Sequence, residues 1–222
     1  MKWVIGNWKS HKTIQEAIEW VEEIGPHLEK HPGIEVAVCP NYLALPDVRK
    51  AVKVGNWPIL VGSQDVSAFE IGAFTGDVAA TYLKPLVDLS IVGHSERRNL
   101  FKETDELIEK KVQRLLVEGI TPVVCVQDDQ TPIPEGCQIV AYEPVFAIGS
   151  GQPDTPQNAN EVAKSIKQKH GSELVVLYGG SVKSDNAKAF VEQSDIDGLL
   201  IGGASLEVEE FNKIIEAVKS VS

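Results

Sequence analysis

Long hydrophobic runs are missing from this chain, and nothing in it approaches the roughly 18 to 20 apolar residues that a membrane-spanning helix needs. The opening Met1-Lys2-Trp3-Val4-Ile5-Gly6-Asn7-Trp8-Lys9 holds too short an apolar run for a secretory signal. Cysteine is scarce and odd in number: Cys39, Cys125 and Cys137 show no metal-ligand spacing and no disulfide framework. Cys39 and Cys125 fall inside apolar strand-like runs, which points to reduced thiols and a cytoplasmic location. Positive charge is also in deficit, with 21 Lys and Arg against 32 Asp and Glu for a net charge of −11. That balance excludes a general role on nucleic acid or anionic membranes, so an anionic ligand would have to be held by local dipoles. Low-complexity tracts and linkers are absent too, and the 222 residues are expected to form a single domain, 1–222.

What the chain does have is alternation. Apolar runs at Trp3 to Trp8, Ile34 to Cys39, Ile59 to Gln64, Leu89 to Gly93, Pro122 to Val126, Gln138 to Tyr142, Leu174 to Tyr178 and Gly198 to Ile201 read as eight buried strands. Between them lie helical periodicities: Ile14, Ala17, Ile18, Val21 and Leu28; Leu107, Ile108, Val112, Leu115 and Leu116; Val208, Phe211, Ile214, Ile215 and Val218. Weaker helical segments fall near 45–54, 77–84, 157–169 and 185–192. Eight buried strands in alternation predict α/β architecture with a closed parallel barrel. One unit is incomplete. The connection Gln127 to Gly136 carries Pro132 and Pro134 and no apolar period, so the helix between strands five and six is expected to be missing or vestigial. Ile133 with its prolines, or a partner subunit, is expected to cover the barrel there.

The stretch Tyr142-Glu143-Pro144 through Gly149-Ser150-Gly151 organises the rest. Glu143 closes an apolar run, and burial of a carboxylate disfavours its charged form, a condition suited to a proton acceptor near neutral pH. The glycines flanking Ser150 suit a hinge and leave amides open to an anion. Other chemistry-bearing residues also follow strands: Asn7 and Lys9 the first, His94 the fourth, Gly179-Gly180-Ser181 the seventh, Gly202-Gly203 the eighth. In a parallel barrel those ends share one face, where active sites form. Singly, Lys9 reads as a solvated cation, His94 as a satisfied loop histidine and the glycines as turns. Together they describe a phosphate cradle of backbone amides beside a base, an imidazole and an ammonium, which suits proton abstraction next to a carbonyl.

The chain resembles the triosephosphate isomerases over nearly its whole length. The matching stretches are Gly6-Asn7-Trp8-Lys9, Gly72 to Gly76, Gly93-His94-Ser95-Glu96-Arg97-Arg98, Ala141 to Val145 running into Ala147-Ile148-Gly149, Tyr178 to Val182 and Leu200 to Leu206. The resemblance implies a TIM (β/α)8 barrel that interconverts dihydroxyacetone phosphate and D-glyceraldehyde 3-phosphate through an enediolate, with no cofactor and no metal. It makes Glu143 the base, His94 the neutral electrophile and Lys9 the offsetting cation. Asn7 would orient the substrate oxygens, and Glu96 would hold the ammonium. Gly149, Ser150, Ser181, Gly202 and Gly203 would bind phosphate. It further implies a homo-oligomer, dimer or tetramer, in which the loop around Thr75 buttresses a second subunit's Asn7 and Lys9. Arg97 and Arg98 read as structural ion-pair partners.

The chain departs from the family pattern at Phe146 (usually Trp), at Ser150 (commonly Thr), at Val126-Gln127-Asp128 (often a Gly-Glu pair) and in the missing helix. Other readings stay open. A sugar-phosphate epimerase would share the cradle but add a metal or a second acid/base, and a Schiff-base aldolase would need a Lys inside the barrel. A non-catalytic or altered-specificity sugar-phosphate-binding barrel would keep the cradle and lose the base.

Overall fold

The computed structural model describes residues 1–144 and 153–221. Eight parallel strands close on themselves in sequence order: β1 (Lys2–Asn7), β2 (Ile34–Cys39), β3 (Leu60–Ser63), β4 (Leu89–Val92), β5 (Thr121–Val126), β6 (Ile139–Tyr142), β7 (Val175–Tyr178) and β8 (Gly198–Ile201). β1 pairs with β2 from Lys2↔Ile34 to Asn7↔Cys39 and with β8 from Trp3↔Gly198 to Gly6↔Ile201, which seals the barrel. Each strand falls where an apolar run ends in turn residues, because a strand covered on both faces has no need of a polar side.

The barrel has two cores. Inward side chains, among them Ile5, Cys39, Leu89, Ile91, Val123, Cys125, Ile139, Ala141, Leu177 and Leu200, fill the interior. Outward ones, such as Val4, Val38, Val92, Val124, Val126, Val140 and Ile201, meet the helices. The helices are α1 (Ile14–Ile24), α2 (Leu45–Gly55), α3 (Ala80–Leu83), α4 (Ser95–Leu100), α5 (Asp105–Glu118), α6 (Pro156–His170), α7 (Ala187–Val191) and α8 (Val208–Lys219). Their starts follow local chemistry. The Thr13 side chain accepts from the Glu16 amide while the Glu16 carboxylate accepts from the Thr13 amide at 2.7 Å, and Thr104 and Thr155 cap α5 and α6.

One sequence expectation is corrected here, and one helix is added to those the periodicity showed. The periodicity that reached Leu28 ends at Ile24, because Pro26 cannot continue the helix; a short 3₁₀ turn over Gly25–His27 carries Leu28 into the core instead. And α4, six residues with two arginines and no apolar stripe, had no periodic signal at all.

Between β5 and β6 there is no helix, as the two prolines imply. The connection is nevertheless built. Asp128 accepts from the amides of Gln130 (2.9 Å) and Thr131 (2.8 Å) and from the Thr131 hydroxyl (2.9 Å), while the Gln127 amide donates back to that hydroxyl. Asp129 turns outward to α6, accepting from Lys169 Nζ (2.7 Å) and Ser165 Oγ (2.5 Å), and these two donors, Lys169 first, hold its carboxyl below the usual carboxylate range. Gly136 takes the left-handed φ of 82° with its backbone against Leu116 of α5, where any side chain would meet Leu116 Cδ1 at 2.7 Å. Ile133 packs onto the outer core. In consequence Val124, Val126 and Val140 stay fully buried without a covering helix. Exposing them would cost on the order of 1.5–3 kcal/mol each.

Candidate active site

The first strand delivers Asn7, nearly buried, and two residues later Lys9 in the left-handed region at φ 53°. Such backbone is strained for a lysine and persists only where the surroundings hold it. Here the Lys9 amide donates to Asn7 Oδ1 (3.1 Å), and Gln64 Nε2 donates both to the Lys9 carbonyl (2.7 Å) and to the Cys39 carbonyl (2.9 Å). Gln64, which the sequence marked only as a strand end, is thus a strut for Lys9. Lys9 Nζ lies 2.5 Å from Glu96 Oε1, the pairing expected of that carboxylate.

His94 caps α4. Its Nδ1 accepts the Glu96 amide at 3.2 Å, an arrangement that leaves Nε2 to carry the ring proton. The other side of the ring faces Glu143: His94 Nε2 is 3.0 Å from Glu143 Oε1, and the Ser95 amide donates to Glu143 Oε2 at 2.8 Å. Glu143 is 1% exposed. Its amide donates to the Val126 carbonyl, continuing the β5–β6 ladder by one residue, which is what aims the side chain across the rim. Arg98 bonds the Gly93 carbonyl (2.8 Å), the Cys125 carbonyl (3.2 Å) and Asp105 (2.6 Å), and Arg97 pairs with Asp65 and Glu103, so both arginines are structural as expected.

Two features escaped sequence reasoning. The Cys125 thiol, inside the barrel, donates a hydrogen bond to Glu143; burial first, and then that carboxylate, push the thiol well above the ordinary range. Second, Tyr142 and Tyr178, the residues just before Glu143 and Gly179, converge on Asp154. The Asp154 amide donates to Tyr178 Oη (2.8 Å), Tyr142 Oη lies 3.4 Å from Asp154 Oδ2, and Asn158 Nδ2 donates to the same oxygen (2.7 Å). Burial pushes the Tyr178 phenol up to about 12. A shared rim position gave the only sequence hint, Tyr followed by a site residue after both strands.

Next round the rim, Gly179 and Gly180 follow β7, and Gly202 and Gly203 follow β8; a side chain at Gly179 would meet Glu143 Cγ at 3.0 Å, and one at Gly202 would meet Lys9 Cε at 3.5 Å. A side chain at Gly180 would meet Tyr178 Oη at 2.1 Å, whereas nothing lies within 4 Å of one at Gly203, so the cradle is tight on one wall and open on the other. The cavity between these walls measures about 410 Å3. It is lined by Asn7, Lys9, His94 and Glu143 together with the four glycines, Ser181 and Lys183. Seven of the sequence-derived site residues therefore share one cavity, with Glu96 behind Lys9. Phe146, Gly149 and Ser150 lie outside the described residues. Thr75 is exposed on a loop braced by the stacked rings of Phe69 and Phe74 (4.1 Å) and lines no part of this cavity. Among the described residues no group of three or more His, Cys, Asp or Glu side chains is arranged to hold a metal ion.

A family model described as triosephosphate isomerase matches residues 2–138 and 134–218, two stretches that meet within the short connection before β6. The chain is 42% identical over 244 aligned residues to a triosephosphate isomerase of Caldanaerobacter subterraneus subsp. tengcongensis, with 96% of this chain and 97% of that protein covered. It is 39% identical to that of Clostridium beijerinckii over the same shares, and 36% identical to that of Clostridium tetani with 96% and 94% covered. Since 96% of 222 residues is about 213 against 244 aligned positions, about thirty positions have no counterpart in this chain, the size of one helix with its loops.

Proposed function

The chain belongs to the triosephosphate isomerase family, and on that premise we propose that Glu143, His94 and Lys9 perform the family's reaction at the rim described above. The reaction interconverts dihydroxyacetone phosphate and D-glyceraldehyde 3-phosphate, an aldose–ketose isomerisation of glycolysis. Glu143 takes a proton from one carbon and returns it to its neighbour. His94, donating through Nε2, and Lys9 stabilise the oxyanion that develops in between. The neutral imidazole and the closing lid are roles for which this family is a standing example, so they are inherited with membership.

The observation that carries the reading is the 3.0 Å contact between His94 Nε2 and Glu143 Oε1 in the same cavity that the paired glycines line. It supports a site in waiting: a substrate carbonyl that takes over the Nε2–H frees Glu143 from the imidazole, leaving the Ser95 amide and the Cys125 thiol as its partners. Asn7 orients the oxygens beside Lys9, and Glu96 holds the ammonium. Gly202, Gly203 and Ser181 receive the phosphate through amides and a hydroxyl, joined by Gly149 and Ser150 on the family pattern. Enclosure matters because an enediolate bearing a phosphate eliminates it in open water.

Assembly as a homodimer, or a tetramer built from it, through the loop around Thr75 is part of the same reading. The exposed apolar side chains Leu43, Phe69, Ile71, Phe74 and Phe101 support it. No helix among the described residues is long and apolar enough to cross a membrane, and we place the enzyme in the cytoplasm. A coupled assay on glyceraldehyde 3-phosphate tests the mechanism. Glu143→Gln should lose roughly 10²–10⁴-fold in kcat with little change in KM; activity within a few-fold of the parent would end the assignment of the base.

A further inference from the structure

An acidic protein that binds a phosphate ester must overcome its own field, and the charges around the cavity make that problem local. The charged side chains lining it are Lys9, Lys183, Glu143 and Glu210, with Glu96 immediately behind Lys9. Three carboxylates thus face two ammonium groups. Lys9 is already committed to Glu96 at 2.5 Å. Glu210 is pinned too: its two oxygens accept from the Ser184 amide (2.8 Å) and hydroxyl (3.0 Å). Lys183, one residue before Ser184, is different. Its amide is fixed to Asn186 Oδ1 (2.9 Å), its side chain is exposed, and it has no ion-pair partner among the described residues. It is the uncommitted cation lining the cavity, two residues past Ser181.

We infer that Lys183 is the capture residue for the phosphate dianion of the substrate, acting on encounter and ground-state binding and leaving the proton transfers alone. The inference deepens the proposed function and rests on it. A phosphomonoester carries about −1.5 to −2 charges at neutral pH, and in a cleft walled by protein an approaching anion feels single fixed charges strongly at low salt. Backbone amides grip the phosphate only once it is docked. Before that, in a molecule of net charge −11, Lys183 supplies the attraction where the dianion enters.

The test is kcat and KM for glyceraldehyde 3-phosphate as a function of ionic strength in the parent, Lys183→Gln, Lys183→Glu and Lys183→Arg. At about 10 mM salt, where the screening length is about 30 Å, Lys183→Gln should lower kcat/KM roughly fivefold with kcat unchanged, and Lys183→Glu should lower it further. Lys183→Arg should match the parent, and the differences should collapse near 1 M salt, where that length is about 3 Å. Lys188→Gln, on the outer face of α7 beside Glu192, serves as the control that removes a charge elsewhere. A Lys183→Gln enzyme with the parent's kcat/KM and salt slope overturns the inference, as does a loss confined to kcat and equal at all salts. If the parent shows no isomerase turnover, the proposed function itself fails. Inorganic phosphate then becomes the probe: its thermal stabilisation of the parent must weaken in Lys183→Gln, and unchanged stabilisation overturns the capture role by itself.

Discussion

Replacing Lys111 with Met should destabilise the protein by about 3 kcal/mol at pH 8, and the cost should shrink as the pH is lowered. Lys111 lies on α5 with only 5% of its side chain exposed, donating to both oxygens of Asp65 (2.7 and 2.8 Å) and to Glu103 Oε1 (2.5 Å). Arg97 reaches the same two carboxylates, at 2.8 and 2.7 Å, but is 30% exposed. Glu103 Oε2 is buried with no partner among the described residues, so the cluster has no spare donor to offer. Removing one member of a buried ion pair costs about 3–5 kcal/mol, because the remaining charge is left unpaired in a poorly polarisable surrounding. The residual Arg97 places this case at the lower end. At about 2–4 °C per kcal/mol for a chain of this size, the midpoint should fall by roughly 6–12 °C.

The pH dependence follows from Asp65. Burial raises its carboxyl above the usual range, and Lys111 pulls it back. A raised folded-state value means that stability is fullest at low pH and is lost as the pH rises through that value, and without Lys111 the value rises further. The penalty should therefore be larger at pH 8 than at pH 5, and Asp65→Asn in the Lys111→Met background should recover part of it. Urea unfolding followed by circular dichroism measures both. A loss below about 1 kcal/mol, or one equal at the two pH values, would refute the account of the cluster.

Two further expectations follow from the connection and the thiols. Asp129→Ala should lower the midpoint modestly and remove part of the acid limb of stability: a carboxyl held low in the fold contributes fully above its unfolded value and loses that contribution as the pH falls toward its folded value, so the difference between parent and variant should begin to shrink below about pH 4 and close only in strong acid. A difference that does not shrink in acid would mean that Asp129 is not the anchor. In native protein, Cys39 and Cys125 should not react with a disulfide reagent at pH 8, since burial raises both thiols, and Cys137, pushed up by burial to about 11, should react slowly and faster as the pH approaches that value. Rapid release of two equivalents before unfolding would contradict the packing described for the barrel interior.

The strands were legible because a barrel strand is apolar on both faces, and that signal survives in runs as short as Gly198–Ile201. The rim was legible for a related reason: residues that follow such runs must converge, whatever their separation along the chain. What the sequence hid is what depends on register and on partners far away. That Cys125 touches Glu143 follows from the pairing of β5 with β6, with Cys125 opposite Ala141 and Val126 opposite Tyr142, which no local pattern records. Lys111 sits on the buried face of α5, and only Asp65, 46 positions away, and Glu103 make that tolerable. Gln64 props Lys9 from another strand. α4 is too short and too charged to show a period, and its existence depends on His94 capping it and on arginines anchored elsewhere.

The twelve-residue passage from Val126 to Ile139 also bears on how the molecule acquires its shape. Parallel neighbours ordinarily wait for a whole helix to be threaded between them. Closing a loop of twelve residues instead of about forty spares roughly 1 kcal/mol of chain entropy. The adjacent pair that leads to Glu143 thereby becomes one of the most local non-helical pairings in the barrel, and that edge of the candidate site can assemble early on the folding route.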